Sequence, residues 1–114
     1  MFPQEPTVPQ ISIDEVKQMM DAKEDLILLD VRTEGEVARG KLENSINIPI
    51  DQIPAKVEGV MPDKNAKIVV YCLSGSRSVF AVEFMQKLGY KNVLNMTNGI
   101  LAWRAKGYET SISS

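Results

Sequence analysis

Ala66-Lys67-Ile68-Val69-Val70-Tyr71-Cys72-Leu73-Ser74-Gly75-Ser76-Arg77-Ser78 decides how this chain is read. The part up to Tyr71 is a short apolar run with polar borders, the pattern of a strand buried on both faces of a parallel sheet. Leu73 to Arg77 are mostly small and polar, with Gly75 at their centre. Beyond them Ala81, Phe84, Met85 and Leu88 fall on one helical face, and Gly89 supplies a left-handed stop. The segment is predicted as strand, tight loop and helix over 78–88, with Cys72 where the strand ends.

Working outward, Leu26 to Val31 repeats the buried-strand pattern. Ser45 to Ile48, stopped by Pro49, and Asn92 to Met96, after the Gly89-Tyr90 break, are predicted as brief strands. Ser12 followed by Glu15 forms a capping box ahead of Ile13, Val16, Met19 and Met20, which share a helical face ending near Lys23. A last helix is predicted over 99–106, capped by Asn98 or Thr97 and ended by Gly107. Strands alternating with helices imply an α/β domain with right-handed crossovers onto a parallel sheet covered on both faces. Residues 1–9, with Pro3, Pro6 and Pro9, are expected to be an extended or disordered lead-in, 10–108 the domain, and 109–114 a loose tail.

A length of 114 residues suits one domain. Lys and Arg number 13 and Asp and Glu 15, a formal charge of −2 with the signs interspersed, so nucleic acid is not an expected partner. No apolar run approaches the roughly 20 residues of a membrane span, and the first residues lack the basic and apolar regions of a signal peptide. A cytoplasmic monomer without membrane contact is expected. The absence of histidine excludes Ser-His-Asp and Cys-His catalysis and imidazole ligands. With Cys72 alone, an internal disulfide, a C-x-x-C pair and a thiolate zinc site are excluded too, and neither a metal nor an organic cofactor is expected.

Ligands of open parallel sheets bind outside the carboxyl ends of the strands, where Cys72 is predicted to lie. Gly75 allows backbone conformations in which several N–H groups converge on one point, and such a nest at a helix start favours a thiolate, the reactive form of cysteine. Ser74, Ser76 and Ser78 offer hydroxyls, and Arg77 offers a cation to a sulfonate, sulfite or phosphate oxygen. A cradle with one cysteine suits nucleophilic attack on sulfur and storage of the transferred atom. The plainer readings are an inert buried cysteine and a solvated arginine; the polar sequel to Cys72 weighs toward reactivity.

Several ordered motifs between Ile11 and Gly107 resemble the rhodanese family. Leu29-Asp30-Val31-Arg32 with Glu34 and Glu36, then Gly40 and Asn44-Ser45-Ile46-Asn47-Ile48-Pro49, resembles its first signature. Val69 to Ser78 resembles its active loop, and Gly89-Tyr90 with Asn98 to Trp103 its closing signature. The resemblance implies a five-stranded parallel sheet flanked by helices and a sulfurtransferase of the thiosulfate type. Cys72 would become a persulfide during transfer to an acceptor such as cyanide or a thiol. It further implies that the backbone amides of Leu73, Ser74, Gly75, Ser76 and Arg77 hold the outer sulfur, that Asp30 and Arg32 support the site, and that Gly99 and Trp103 are architectural. Lys41 stands where the family usually has histidine, and Asn98 where it has the first glycine of a pair; neither is expected to touch the loop.

Two other functions fit parts of this pattern. Cysteine phosphatases of a related fold have five residues between Cys and Arg, whereas four separate Cys72 from Arg77, a tighter ring that favours one sulfur atom over phosphate. A non-catalytic sulfur carrier or binding module, charged by a protein persulfide or discharged by a protein thiol, fits a loop with a single cation.

Overall fold

The computed structural model describes residues 7–112. Five parallel strands form one sheet: β1 (Gln10–Ile11), β2 (Ile27–Asp30), β3 (Ile46–Asn47), β4 (Ile68–Tyr71) and β5 (Val93–Met96), in the order β1-β5-β4-β2-β3. β4 is central, with Leu29 opposite Val70, Asp30 opposite Tyr71 and Val70 opposite Asn95. All four residues of β4 are buried, as an apolar run with no polar face requires.

Helices cover both faces. On one side α3 (Ile53–Val60) and α4 (Ser76–Lys87) pack Ile53, Val57, Val79, Val82 and Met85 on Leu29, Ile68 and Val70. On the other, α1 (Ile13–Asp21) and α5 (Gly99–Ala105) pack Val16, Met19, Ile100 and Trp103 on Leu28, Val69 and Tyr71. The alternation of Ile68 and Val70 with Val69 and Tyr71 is the two-residue period of a strand that feeds two cores. The predicted α/β sandwich is therefore the observed one. Among the described residues every buried side-chain nitrogen and oxygen has a hydrogen-bond partner, and no helix is long and apolar enough to cross a membrane.

Ser12 caps α1 by accepting from the Glu15 N–H at 3.0 Å, and Lys23 turns left-handed (φ 56°) just beyond the helix. Four elements were not predicted. β1 is too short to show a period. α2 (Glu34–Ala38) buries no residue, so it has no apolar stripe, although Thr33-x-x-Glu36 is a complete capping box: Thr33 Oγ1 accepts from the Glu36 N–H, and Glu36 Oε1 from the Thr33 N–H. A 3-10 turn at Ile50–Gln52 leads into α3, whose Pro54 and Gly59 read as loop punctuation.

Of the expected lead-in and tail, residues 1–6 and 113–114 lie outside the described residues. Val8 is already buried in the core, and the Pro9 carbonyl accepts from the Asn95 N–H. The loose tail expected from 109 is corrected as far as Ser111, which makes an antiparallel bridge with Lys41 through two backbone hydrogen bonds of 2.9 and 2.7 Å. The Glu109 carbonyl accepts from the Trp103 indole N–H at 2.8 Å.

Candidate active site

Cys72 follows the last residue of β4 and is 1 % exposed. Its Sγ accepts hydrogen bonds from the Gly75 N–H at 3.1 Å and the Ser78 N–H at 3.4 Å, and lies 3.3 Å from Ser78 Oγ. Gly75 makes this possible with a φ of 105°, a left-handed conformation that folds the loop back over the sulfur before α4 begins. The start of α4 directs its partial positive charge toward the loop.

The Ser78 hydroxyl, fully buried, also contacts the Gly75 carbonyl at 3.2 Å and Asn95 Oδ1. The Asn95 amide in turn donates to Gln10 Oε1 at 2.8 Å. One hydroxyl proton cannot serve sulfur and two carbonyl oxygens together. Ser78 is thus able to accept from a thiol while donating to Asn95, or to turn its proton to a charged sulfur. Ser78 was among the hydroxyls noted in the sequence but lay outside the Leu73 to Arg77 stretch. Asn95 was missed, and its signal is the single amide in the buried Val93–Met96 strand.

The other residues expected at the site fall into separate roles. Ser74 and Ser76 are exposed, and Leu73 is partly buried. Arg77, expected to offer its cation to a substrate oxygen, forms a two-point ion pair with Glu36 of α2, Nη1 to Oε1 at 2.7 Å and Nη2 to Oε2 at 2.9 Å. An arginine in the first turn of a helix opposes the dipole, and the carboxylate offsets that penalty. Arg77 holds the Glu36 carboxyl down at about 2 against an opposing push from burial. Glu36 raises Arg77 in return. Glu36 was legible only as part of a family signature, because nothing in its local sequence points across to α4.

Asp30 and Arg32 are buried, 0 % and 1 % exposed, and lie beneath α2. Arg32 Nη2 donates to Asp30 Oδ2 at 2.7 Å and to the Gly40 carbonyl at 2.7 Å, and Nε to both carboxylate oxygens at 3.0 and 3.1 Å. Its Nη1 reaches the Glu36 carbonyl at 3.3 Å, so the pair fixes the helix that carries Glu36. Burial works against the charged guanidinium, but the Asp30 carboxylate outweighs it and raises Arg32 above its ordinary value.

The start of α5 closes the loop from behind. The Ile100 and Leu101 N–H groups donate to the Cys72 and Leu73 carbonyls, each at 3.0 Å. The expectation that Asn98 stands clear of the loop is corrected, since a Cβ on Gly75 would lie 3.2 Å from the Asn98 nitrogen. Asn98 makes no side-chain cap; it takes a left-handed φ of 64°, which asparagine tolerates better than most residues. Lys41 donates from Nζ to the Ser45 carbonyl at 3.3 Å. A hollow of about 530 Å³ between α1, the start of β2 and Trp103 is lined by none of the loop residues and lies toward the opposite end of the strands.

Comparison with known proteins agrees with this fold. Residues 12–106 match the model of the rhodanese-like domain. A sulfurtransferase of Allochromatium vinosum is 34% identical over 100 residues, covering 88% of this chain and 92% of that protein. YrkF of Bacillus subtilis, named as a sulfur carrier, is 32% identical over 100 residues, 88% of this chain but 53% of that protein. The crystal structure of a rhodanese-related protein from Thermoplasma volcanium superposes with a TM-score of 0.83 at 31% identity, covering 92% of this chain and 99% of that one. Fold, sequence and a cysteine loop at the carboxyl end of the central strand lead to one assignment: the chain belongs to the rhodanese-like sulfurtransferase family.

Proposed function

We propose that Cys72 is the sulfur-carrying nucleophile of a sulfurtransferase that takes sulfane sulfur from thiosulfate or a persulfide and yields it to cyanide or a thiol. The observation that carries this reading is the convergence of two backbone N–H groups and one hydroxyl on Cys72 Sγ. The thiolate attacks the outer sulfur of the donor, and the donor's sulfur–sulfur bond breaks with its electron pair leaving on sulfite or on a thiolate. The persulfide left on Cys72 is stabilised by the amides that faced the thiolate. The acceptor then attacks the outer sulfur, and Cys72 departs as a thiolate. With no second cysteine in the chain, discharge depends on an outside nucleophile. Loop amides between Leu73 and Arg77 line the path of the outer sulfur in this scheme, and no metal or organic cofactor takes part.

Intact mass after incubation with thiosulfate or an organic persulfide, then with cyanide, tests the reading in wild type and Cys72→Ser. The expected result is a gain of one sulfur atom that needs Cys72 and is released by cyanide as thiocyanate. Loading that survives in Cys72→Ser overturns it.

The similarity to YrkF and the closed Arg77–Glu36 pair favour a second reading, a sulfur carrier that exchanges persulfide with partner proteins and turns over small donors slowly. Persulfide capture from a cysteine desulfurase together with negligible thiosulfate turnover would select it.

A further inference from the structure

Resting on the sulfur-transfer reading, we propose that Glu36 is a specificity-determining residue: its two-point grip on Arg77 withholds the loop's cation from dianionic donors and turns the site toward organic persulfides.

Arg77 is the only charged side chain between Cys72 and Ser78, so it is the group a dianion such as thiosulfate would meet at the loop. Both terminal guanidinium nitrogens, the pair that makes an end-on fork with an oxyanion, are already engaged by Glu36, at 2.7 and 2.9 Å. The carboxylate is not free to swing aside. Its Oε1 also accepts from the Thr33 N–H at 3.1 Å and from Thr33 Oγ1 at 3.2 Å, so the capping box of α2 fixes the partner of a residue on α4. The pair is close to neutral as a unit and offers little net attraction to a charge of −2. Two exposed apolar side chains stand on the helices that flank the loop, beside its exposed Ser74 and Ser76. Phe80, in the first turns of α4, and Leu101, whose N–H is bonded to the Leu73 carbonyl, are each 51 % exposed. The organic part of a thiol-borne persulfide gains by covering such surface, whereas thiosulfate has nothing to place on it. With an organic donor the balance is simple: Cys72 thiolate attacks the terminal sulfur of the persulfide, the sulfur–sulfur bond breaks, and the donor thiolate leaves with the electron pair.

The test compares wild type, Glu36→Gln, Glu36→Gln/Arg77→Gln and Glu34→Gln. Glutamine at position 36 can still close the capping box, and Glu34, exposed on the same helix, controls for the loss of one negative charge. Affinity for sulfate, an unreactive dianion, is read by titration calorimetry, and kcat/KM is read with thiosulfate and with 2-hydroxyethyl persulfide, cyanide being the acceptor. Glu36→Gln should bind sulfate about 3- to 10-fold tighter and raise the thiosulfate-to-persulfide ratio of kcat/KM by a similar factor, with the gain absent from the double variant and from Glu34→Gln. Arg77→Lys, which keeps the charge but loses the fork, should shift sulfate affinity in the same direction. Unchanged sulfate affinity in Glu36→Gln, an equal gain in Glu34→Gln, or a gain that survives without Arg77 overturns the proposal. An Arg77-dependent gain in sulfate affinity with no sulfur transfer from either donor in any variant would leave the role of Glu36 standing and refute the transferase reading instead.

Discussion

A Cβ added to Gly99 would lie 2.4 Å from the carbonyl oxygen of Leu73, so α5 can dock on the cysteine loop only because position 99 has no side chain. The backbone there is also left-handed, with φ 61°. Gly99→Ala must take a strained conformation, at about 1–2 kcal/mol, and push the loop away. The expected loss of stability is at least about 2 kcal/mol by urea unfolding, with slower sulfur loading of Cys72. A variant as stable and as active as wild type would show that the docking contributes little.

Ser78→Ala removes the only side-chain hydroxyl within hydrogen-bond distance of Cys72 Sγ among the described residues. Loading of Cys72, followed by mass at timed intervals, should slow by about tenfold, as expected for losing one hydrogen bond to a charged group. The fold should persist, since the apolar contacts of α4 remain. An unchanged rate would confine Ser78 to its contacts with Gly75 and Asn95.

Arg32→Met leaves the Asp30 carboxylate buried with its principal cation gone. Breaking one side of a buried pair destabilises by about 3–5 kcal/mol. Equilibrium unfolding should register that loss, and α2, which carries Glu36, should exchange its amides faster in the variant. A cost below about 1 kcal/mol would show that Asp30 is well served by its remaining partners.

Acid should dissolve the clasp between α2 and α4. Glu36 titrates at about 2 in the folded chain against an ordinary 4.5. A folded value below the unfolded one means that the pair's contribution is full above about 4.5 and is lost as pH falls toward about 2. The pair is partly exposed, so after solvent screening about 1 kcal/mol is at stake. The stability difference between wild type and Glu36→Gln should shrink over that window, and a constant difference would rule out the linkage.

Much of this architecture was legible because a buried parallel strand has an unmistakable composition. Leu26 to Val31 and Ala66 to Tyr71 announced themselves, and Cys72, Gly75 and the start of a helix followed by position alone. What stayed hidden was whatever depends on contact across the chain. Glu36 and Arg77 are 41 residues apart in sequence, and neither side chain reveals the other. Reading Arg77 in isolation left its charge available, whereas the fold occupies it. Asn95 passed unremarked inside the predicted Asn92 to Met96 strand, because its role rests on the Ser78 hydroxyl opposite it. α2 escaped notice because it buries nothing, and its value lies in holding one carboxylate.

The two border strands, β1 and β3, are each only two residues long, half the length of the strands they flank. An incoming strand on either side would find too few free backbone groups to pair with, so lateral growth of the sheet stops at five. The consequence is colloidal as much as architectural. A sheet rich in valine and isoleucine, the kind that would otherwise invite stacking into fibres, is kept from templating its own neighbours by the brevity of its borders.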